Sequence, residues 1–277
     1  MSQLAGAGQV RLPGPAAAAR AYLRAEWTKT RTVAGPAWLL VATAALTVAV
    51  SVTVTAGVRC PAGMACPVDP GRLSLTGIQL SQAVAAILGV LTISTEYSTG
   101  MMRTTLTALP RRPAVLAAKA AVLTGGVLAA GALGVLGSVL AGGRILPGHG
   151  FTAARGFGPV SLASGPVLRA ACGSVLYLAL IALLSLGVAA LVRDSAAAIG
   201  IVLGLLYLAP IAAGFISNQH WHNRVERYSP MPAGLAIQAT RNLHSLPISP
   251  WMGLGVLAAW AAAALLAGGL ALRLRDA

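Results

Sequence analysis

Apolar residues in this chain come in long, nearly uninterrupted runs, with polar residues gathered between them. Six runs of about 20 residues, the length that crosses a bilayer core, lie near 36–57, 76–95, 114–141, 167–192, 195–216 and 250–272. The pattern predicts an all-α polytopic membrane protein of six transmembrane helices, because a continuous apolar span must satisfy its own backbone hydrogen bonds. Two polar stretches stand out against the runs. Residues 1–15 are rich in Gly, Pro and Ala and read as a disordered N-terminus, after which AAAARAYLRAEWTKTRT predicts an amphipathic interface helix over 16–33. In that helix Tyr22, Leu23 and Trp27 lie on one side, with Arg20, Arg24 and Lys29 towards the other. The second stretch, Glu96–Lys119, is a compact basic elbow between the second and third runs. Met102, Leu106 and Leu109 recur there at i, i+4 and i+7, which predicts a short helix with one apolar edge. Pro110 and Pro113 then bracket Arg111 and Arg112, ending that helix and starting the next.

Composition agrees with the pattern. The 277 residues are 57% hydrophobic and 9% charged, with a mean hydropathy of +0.78, whereas a soluble domain carries about 25% charged residues. A net charge of +14 raises nucleic acid as a partner, but the basic residues sit between apolar runs and form no soluble basic face. They act on topology instead. With both termini in the cytoplasm, as six spans require if one is there, the cytoplasmic segments hold Arg11, Arg20, Arg24, Lys29, Arg31, Arg103, Arg111, Arg112, Lys119, Arg193, Arg273 and Arg275. Those are 12 of the 20 cations, so the bias favours that orientation in the cell membrane, and the elbow is then cytoplasmic too.

Small residues form ridges on three spans: Ser81, Ala85 and Gly89; Gly126, Ala130, Gly134, Ser138 and Gly142; and Gly200 and Gly204. Such ridges let transmembrane helices approach closely, within a chain or between chains. Arg193 and Asp194 mark a tight turn between spans four and five. Residues 217–249 hold a piece, MPAGLAIQA, too short to span and suited to a re-entrant or interfacial helix.

Catalytic chemistry is sparse. No Asp, Lys or His lies well inside a predicted run, which argues against a membrane enzyme and against an ion-driven carrier. No GxxxxGK[ST] occurs, so the chain has no P-loop of its own. No metal site is expected: His220 and His222 form a lone HxH, and no Cys/His spacing suits zinc. Cys60 and Cys66 lie in an outer loop, where they read either as a disulfide or as two free thiols. Glu96, at the end of the second run, reads either as a coupling residue or as a boundary residue paired with Arg103, Lys119 or Arg193.

The stretch Gly89–Lys119, GVLTISTEYSTGMMRTTLTALPRRPAVLAAK, resembles the permease subunits of ABC-2 type ABC transporters, in particular an actinobacterial branch with the pattern G…EYstG…rtTL…PrR…l.aK. LRAEWTKTRT resembles that family's N-terminal interface helix, RYSPMPAG its last outer loop and LRLRDA its terminal span ending. The resemblance implies a six-helix permease without catalytic residues or cofactor of its own, pairing with a second copy or paralogue on two separate ATPase subunits. It also implies that the elbow docks on the ATPase through Glu96, Tyr97, Gly100, Arg103, Thr104, Thr105, Arg111, Arg112 and Lys119, helped by Glu26, Trp27, Lys29 and Arg31 of the interface helix. The function it implies is export of a small-molecule, peptide or lipid-like substrate. A self-protection permease of the lantibiotic or bacitracin type and a non-transporting membrane scaffold are the competing readings.

Overall fold

The computed structural model describes residues 15–61, 66–98, 112–215 and 218–274. Among them the regular structure is helical, with no strand. Six helices are long and apolar enough to cross a membrane: α2 (Ala34–Gly57), α4 (Ile78–Ser98), α5 (Arg112–Gly148), α6 (Gly165–Val192), α7 (Ser195–Gly214) and α10 (Pro250–Leu274). They are preceded by α1 (Pro15–Thr32) and joined by shorter pieces, α3 (Pro70–Leu73), α8 (Gln219–Tyr228) and α9 (Pro230–Leu235). Because the number of spans is even, α1 and the end of α10 lie at one end of the bundle, beside Glu96, and the Cys60 loop lies at the other.

Five of the spans end within a few residues of the apolar runs, but α5 is longer than its run. It is helical to Gly148, and its 36-residue candidate span is about 54 Å long at 1.5 Å per residue, against a bilayer core of about 30 Å. The sequence GGRILPG after Ala141 reads as a break, yet it stays helical because one side of it is covered. Gly142 packs on Ser74, Leu146 is fully buried, and Pro147 falls in the last turn, where it costs little.

Helix α6 is the centre of the bundle, in contact with α4, α5, α7 and α10. Its closest approaches use glycines. A Cβ on Gly187 of α6 would overlap Ala264 and Leu265 of α10, and one on Gly89 of α4 would overlap the Ala182 carbonyl of α6. The ridge on α5 meets α2 through a stripe of hydroxyls, Thr43, Thr47, Ser51 and Thr55, all buried. Thr43, Thr47 and Thr55 each donate back to the carbonyl four residues earlier, at 2.8, 2.7 and 2.8 Å, and Ser51 Oγ accepts from Gly77 N at 3.0 Å. Gly134 sits against Thr47 and Ala44, and Ser138 Oγ donates to the Thr47 carbonyl at 3.2 Å. Among the described residues, by contrast, nothing lies within 4 Å of a Cβ on Gly200, and one on Gly204 would meet only Leu208 of its own helix.

The Cys60 end is closed by side chains from distant parts of the chain. Cys60 and Cys66 form a disulfide with Cα atoms 6.0 Å apart. Cys60 packs with Leu146, Phe151 and Phe157 in a small separate core. Asp69 caps α3 by accepting from Gly71 N at 3.0 Å, and its carboxylate also accepts from the backbone and hydroxyl of Thr240 and from Arg241 N. The piece MPAGLAIQA does not lie on the surface. Ala233, Leu235, Ile237 and Gln238 are buried against α6 and α10, with Gln238 Nε2 donating to Ser174 Oγ at 3.2 Å.

The glycine packing makes a contrast that thermal unfolding of the detergent-solubilised protein can check. Gly187→Leu forces α6 from α10 and is expected to destabilise by about 1–3 kcal/mol or more, whereas Gly200→Leu, with nothing within 4 Å of its Cβ, leaves the transition within experimental error. Equal effects of the two substitutions would refute the close-packing account.

Candidate functional site

Helix α1 docks against α5 and α2 through a face that its apolar pattern does not announce. Tyr22, Glu26 and Lys29 recur at i, i+4 and i+7 and turn inward: Tyr22 packs on Val115 and Ala118, and Glu26 is buried. Leu23 and Trp27 are the outward residues, Trp27 at 52% exposure. The expected grouping of Tyr22 with Trp27 on one side is therefore replaced by a charged inner face, because α1 meets buried charges of the bundle and not an apolar groove.

Those charges come from the two spans on either side of the elbow. Glu96 lies in the last turn of α4 and Lys119 two turns into α5, and Lys119 is 2% exposed. A lysine so placed departs from the expectation that the runs hold no interior Lys. Its ammonium has three N–H donors and all three are used, on Glu26 Oε2 at 2.9 Å, Glu96 Oε1 at 2.7 Å and the Thr92 carbonyl at 3.3 Å. Lys29 closes the ring from α1, donating to Glu96 Oε1 at 2.7 Å and Glu26 Oε1 at 3.1 Å. Two carboxylates and two ammonium groups thus balance in a single network spanning α1, α4 and α5. Glu96 Oε2 is buried and has no hydrogen-bond partner among the described residues.

The network accounts for each burial in turn. Removing an ammonium group from water costs several kcal/mol, which only close, multiply bonded counter-charges repay. Lys29, outside the spans, is half open to solvent; burial pulls its pKa down, but the Glu96 and Glu26 carboxylates outweigh that and hold it above the ordinary 10.5. A group whose pKa is raised in the fold gives its full stabilisation below the unfolded value and loses it above the folded one. The attachment of α1 is therefore expected to be unchanged by pH through the neutral range and to weaken only above about 10.5. Limited proteolysis of α1 as a function of pH reads this out, and release of α1 near pH 7 would contradict it.

Other predicted residues lie apart from this network. Tyr97 is one residue beyond Glu96 but faces Arg193, whose guanidinium carbon is 5.4 Å from its ring centre. Arg193 itself turns the chain between α6 and α7 with a left-handed φ of 64°, and Asp194 caps α7 by accepting from Ala197 N at 2.7 Å. Gly100, Arg103, Thr104, Thr105 and Arg111 lie outside the described residues, as do residues 1–14 and the side chains of Arg31 and Arg112. His222 Nδ1 donates to the Ala213 carbonyl, 3.0 Å away, and its Nε2 lies 3.5 Å from Glu226; His220 stacks edge-on with Trp221. No group of three or more metal-ligating residues occurs among the described residues.

Two further polar contacts inside the bundle escaped sequence reasoning. The Tyr177 hydroxyl donates to Gln82 Oε1, and Gln82 Nε2 reaches Met231 Sδ at 3.3 Å, so a glutamine in the middle of a run ties α4 to α6 and to α9. The signal was present, since a carboxamide within a span needs a partner. Asp69 was legible as a helix cap before Pro70, but nothing local pointed to Thr240.

Charge balance makes the network testable by a double-mutant cycle. Lys119→Met alone leaves two buried carboxylates facing one ammonium and is expected to cost about 3–5 kcal/mol. Adding Glu96→Gln restores balance, so the double variant is expected to be more stable than Lys119→Met alone, by unfolding in detergent. Simple additivity of the two losses would show that the groups are not coupled.

No protein-family model matches the chain, and no curated protein matches it.

Proposed function

We propose that this chain is the membrane-spanning subunit of an ABC-2 type exporter in the cell membrane, with both termini in the cytoplasm, working as a pair on two separately encoded ATPase subunits. The observation that carries this reading is the ion network. It joins α1, which resembles the family's interface helix, to both spans that carry the ends of the elbow Glu96–Lys119, the segment with the strongest family resemblance.

In mechanism, the ATPases supply the energy and the chain supplies mechanical continuity. A closing ATPase pair pushes on the elbow and on α1. Glu96 ends α4 and Lys119 opens α5, and both are held to α1 through Glu26 and Lys29, so the three helices respond as one body. Helices packed through glycines and small hydroxyl residues then rock against one another without large side-chain rearrangement. Coupling requires a contact that differs between two states, and Glu96 Oε2 leaves an acceptor that a donor from a docked subunit can reach once the end of the bundle shifts. The sparse ionisable content of the span interiors fits a carrier whose driving force comes from outside the bundle. A pathway walled by Ala, Gly, Val and Leu suits an amphipathic or lipid-like cargo.

The deciding experiment is a pull-down from detergent-solubilised membranes after mild crosslinking. The wild-type chain is expected to bring down a P-loop ATPase, and a variant with Met101 to Leu109 replaced by Gly and Ser is expected to lose it while still inserting in the membrane. Absence of any ATPase with the wild type would overturn the transporter reading in favour of a membrane scaffold.

A further inference from the structure

The two ends of the bundle differ in charge. Of the chain's six acidic residues, Glu26, Glu96 and Asp194 lie at the end that holds the ion network, and Asp276 follows the α10 terminus in sequence. The Cys60 end has only Asp69 and Glu226, against eight arginines. The residues of that end outside the described ones, AGMA at 62–65 and IS at 216–217, add no charge. Both acids are also engaged: Glu226 lies beside His222, and Asp69 accepts from Gly71 N, Arg72 N, Thr240 and Arg241 N.

A pocket of about 250 Å³ opens at this end between α3 and the segment 239–246. Arg72 lines it from one wall and Arg241 from the other, with Val68 and Leu246 among the apolar lining. The walls are pinned together, because Asp69 of the first holds the backbone N–H groups of Thr240 and Arg241 in the second. The Arg241 guanidinium is held as well, its carbon 4.7 Å from the centre of the Phe157 ring. Such stacking uses the flat face of a guanidinium and leaves its N–H edge for an oxyanion. Arg155 spends its guanidinium on the Cys60 carbonyl at 2.6 Å. The guanidinium groups of Arg72 and Arg241, by contrast, have no acceptor among the described residues.

The geometry points to a binding site for a phosphate ester, its anionic oxygens on Arg72 and Arg241 and its organic part against Val68 and Leu246. Two guanidinium groups on opposite walls call for an anion that offers oxygens in more than one direction. A tetrahedral phosphate does so, whereas a carboxylate presents a single edge. The excess of cations at this end draws the anion in, and walls already pinned by Asp69 spare it the cost of ordering them. A lipid headgroup and a soluble phosphate ester share this chemistry. The site stands independently of the exporter reading and of which side of the membrane this end faces.

The test has two arms, both on the full chain with its disulfide intact. One is isothermal titration calorimetry in neutral detergent at fixed ionic strength, with glycerol 3-phosphate as the probe and acetate and glycerol as controls. The other is native mass spectrometry of the chain released from nanodiscs of equal phosphatidylglycerol and phosphatidylcholine. Saturable binding of glycerol 3-phosphate at one site is expected if the ester is soluble, and preferential retention of phosphatidylglycerol if it is a lipid. In whichever arm responds, Arg72→Gln and Arg241→Gln are each expected to weaken binding about fivefold, what one cation near an anionic surface supplies. Arg227→Gln, at the same end but outside the pocket, is expected to change nothing. Arg72 is exposed, so Arg72→Gln reads the site even where Arg241→Gln disturbs the packing of Phe157. No response in either arm, acetate binding as tightly as the phosphate, or a loss in Arg227→Gln equal to those of the pocket variants would overturn the site.

Discussion

A fully buried lysine ammonium is the constraint on which this end of the molecule depends. Lys119 cannot sit two turns inside an apolar helix unless counter-charges come to it, and they come from two directions: Glu96 from the neighbouring span and Glu26 from a helix outside the bundle. Lys29 is needed in turn, because two carboxylates around one ammonium would leave a net negative charge in a poorly solvated place. Helix α1 is held by charge neutrality as much as by its apolar contacts through Tyr22. Its attachment is therefore specific in orientation, since rotation by one residue would carry Glu26 and Lys29 away from their partners.

The same logic operates elsewhere in the bundle with neutral groups. Gln82 and Tyr177 satisfy each other across α4 and α6, Gln238 finds Ser174, and the threonines Thr43, Thr47 and Thr55 of α2 bond within their own helix. Burial of small polar groups costs little when each has a geometrically fixed partner. That economy lets the helices come close enough for Gly89, Gly134 and Gly187 to touch a neighbouring backbone.

Much of this was legible in the sequence. The spans were, because bilayer thickness imposes a length that any apolar run reveals, and Gly89 and Gly134 stood in visible ridges. Lys119 was visible as one of three possible partners for Glu96, and Lys29 as a polar-face member of an amphipathic helix, while nothing in the helix pattern singled out Glu26. That the four converge was not, because helical spacing in α1 allows either the Trp27 side or the Glu26 side to turn inward, and only the presence of Lys119 decides. The true extent of α5 was hidden by Gly142, Gly143 and Pro147, residues that break helices in water but not where Leu146 and Ser74 cover them. The clamp of Asp69 on Thr240 depends on residues 171 positions apart, beyond the reach of any local pattern.

The unusual length of α5 gives the protein a single stiff beam. Lys119 near one end is fixed in the ion network and Leu146 near the other is packed against Cys60 of the disulfide, about 40 Å away along an unbroken helix. A tilt of that beam displaces its two ends in opposite directions, so the two faces of the protein are geared together by one element and need no relay of side chains between them.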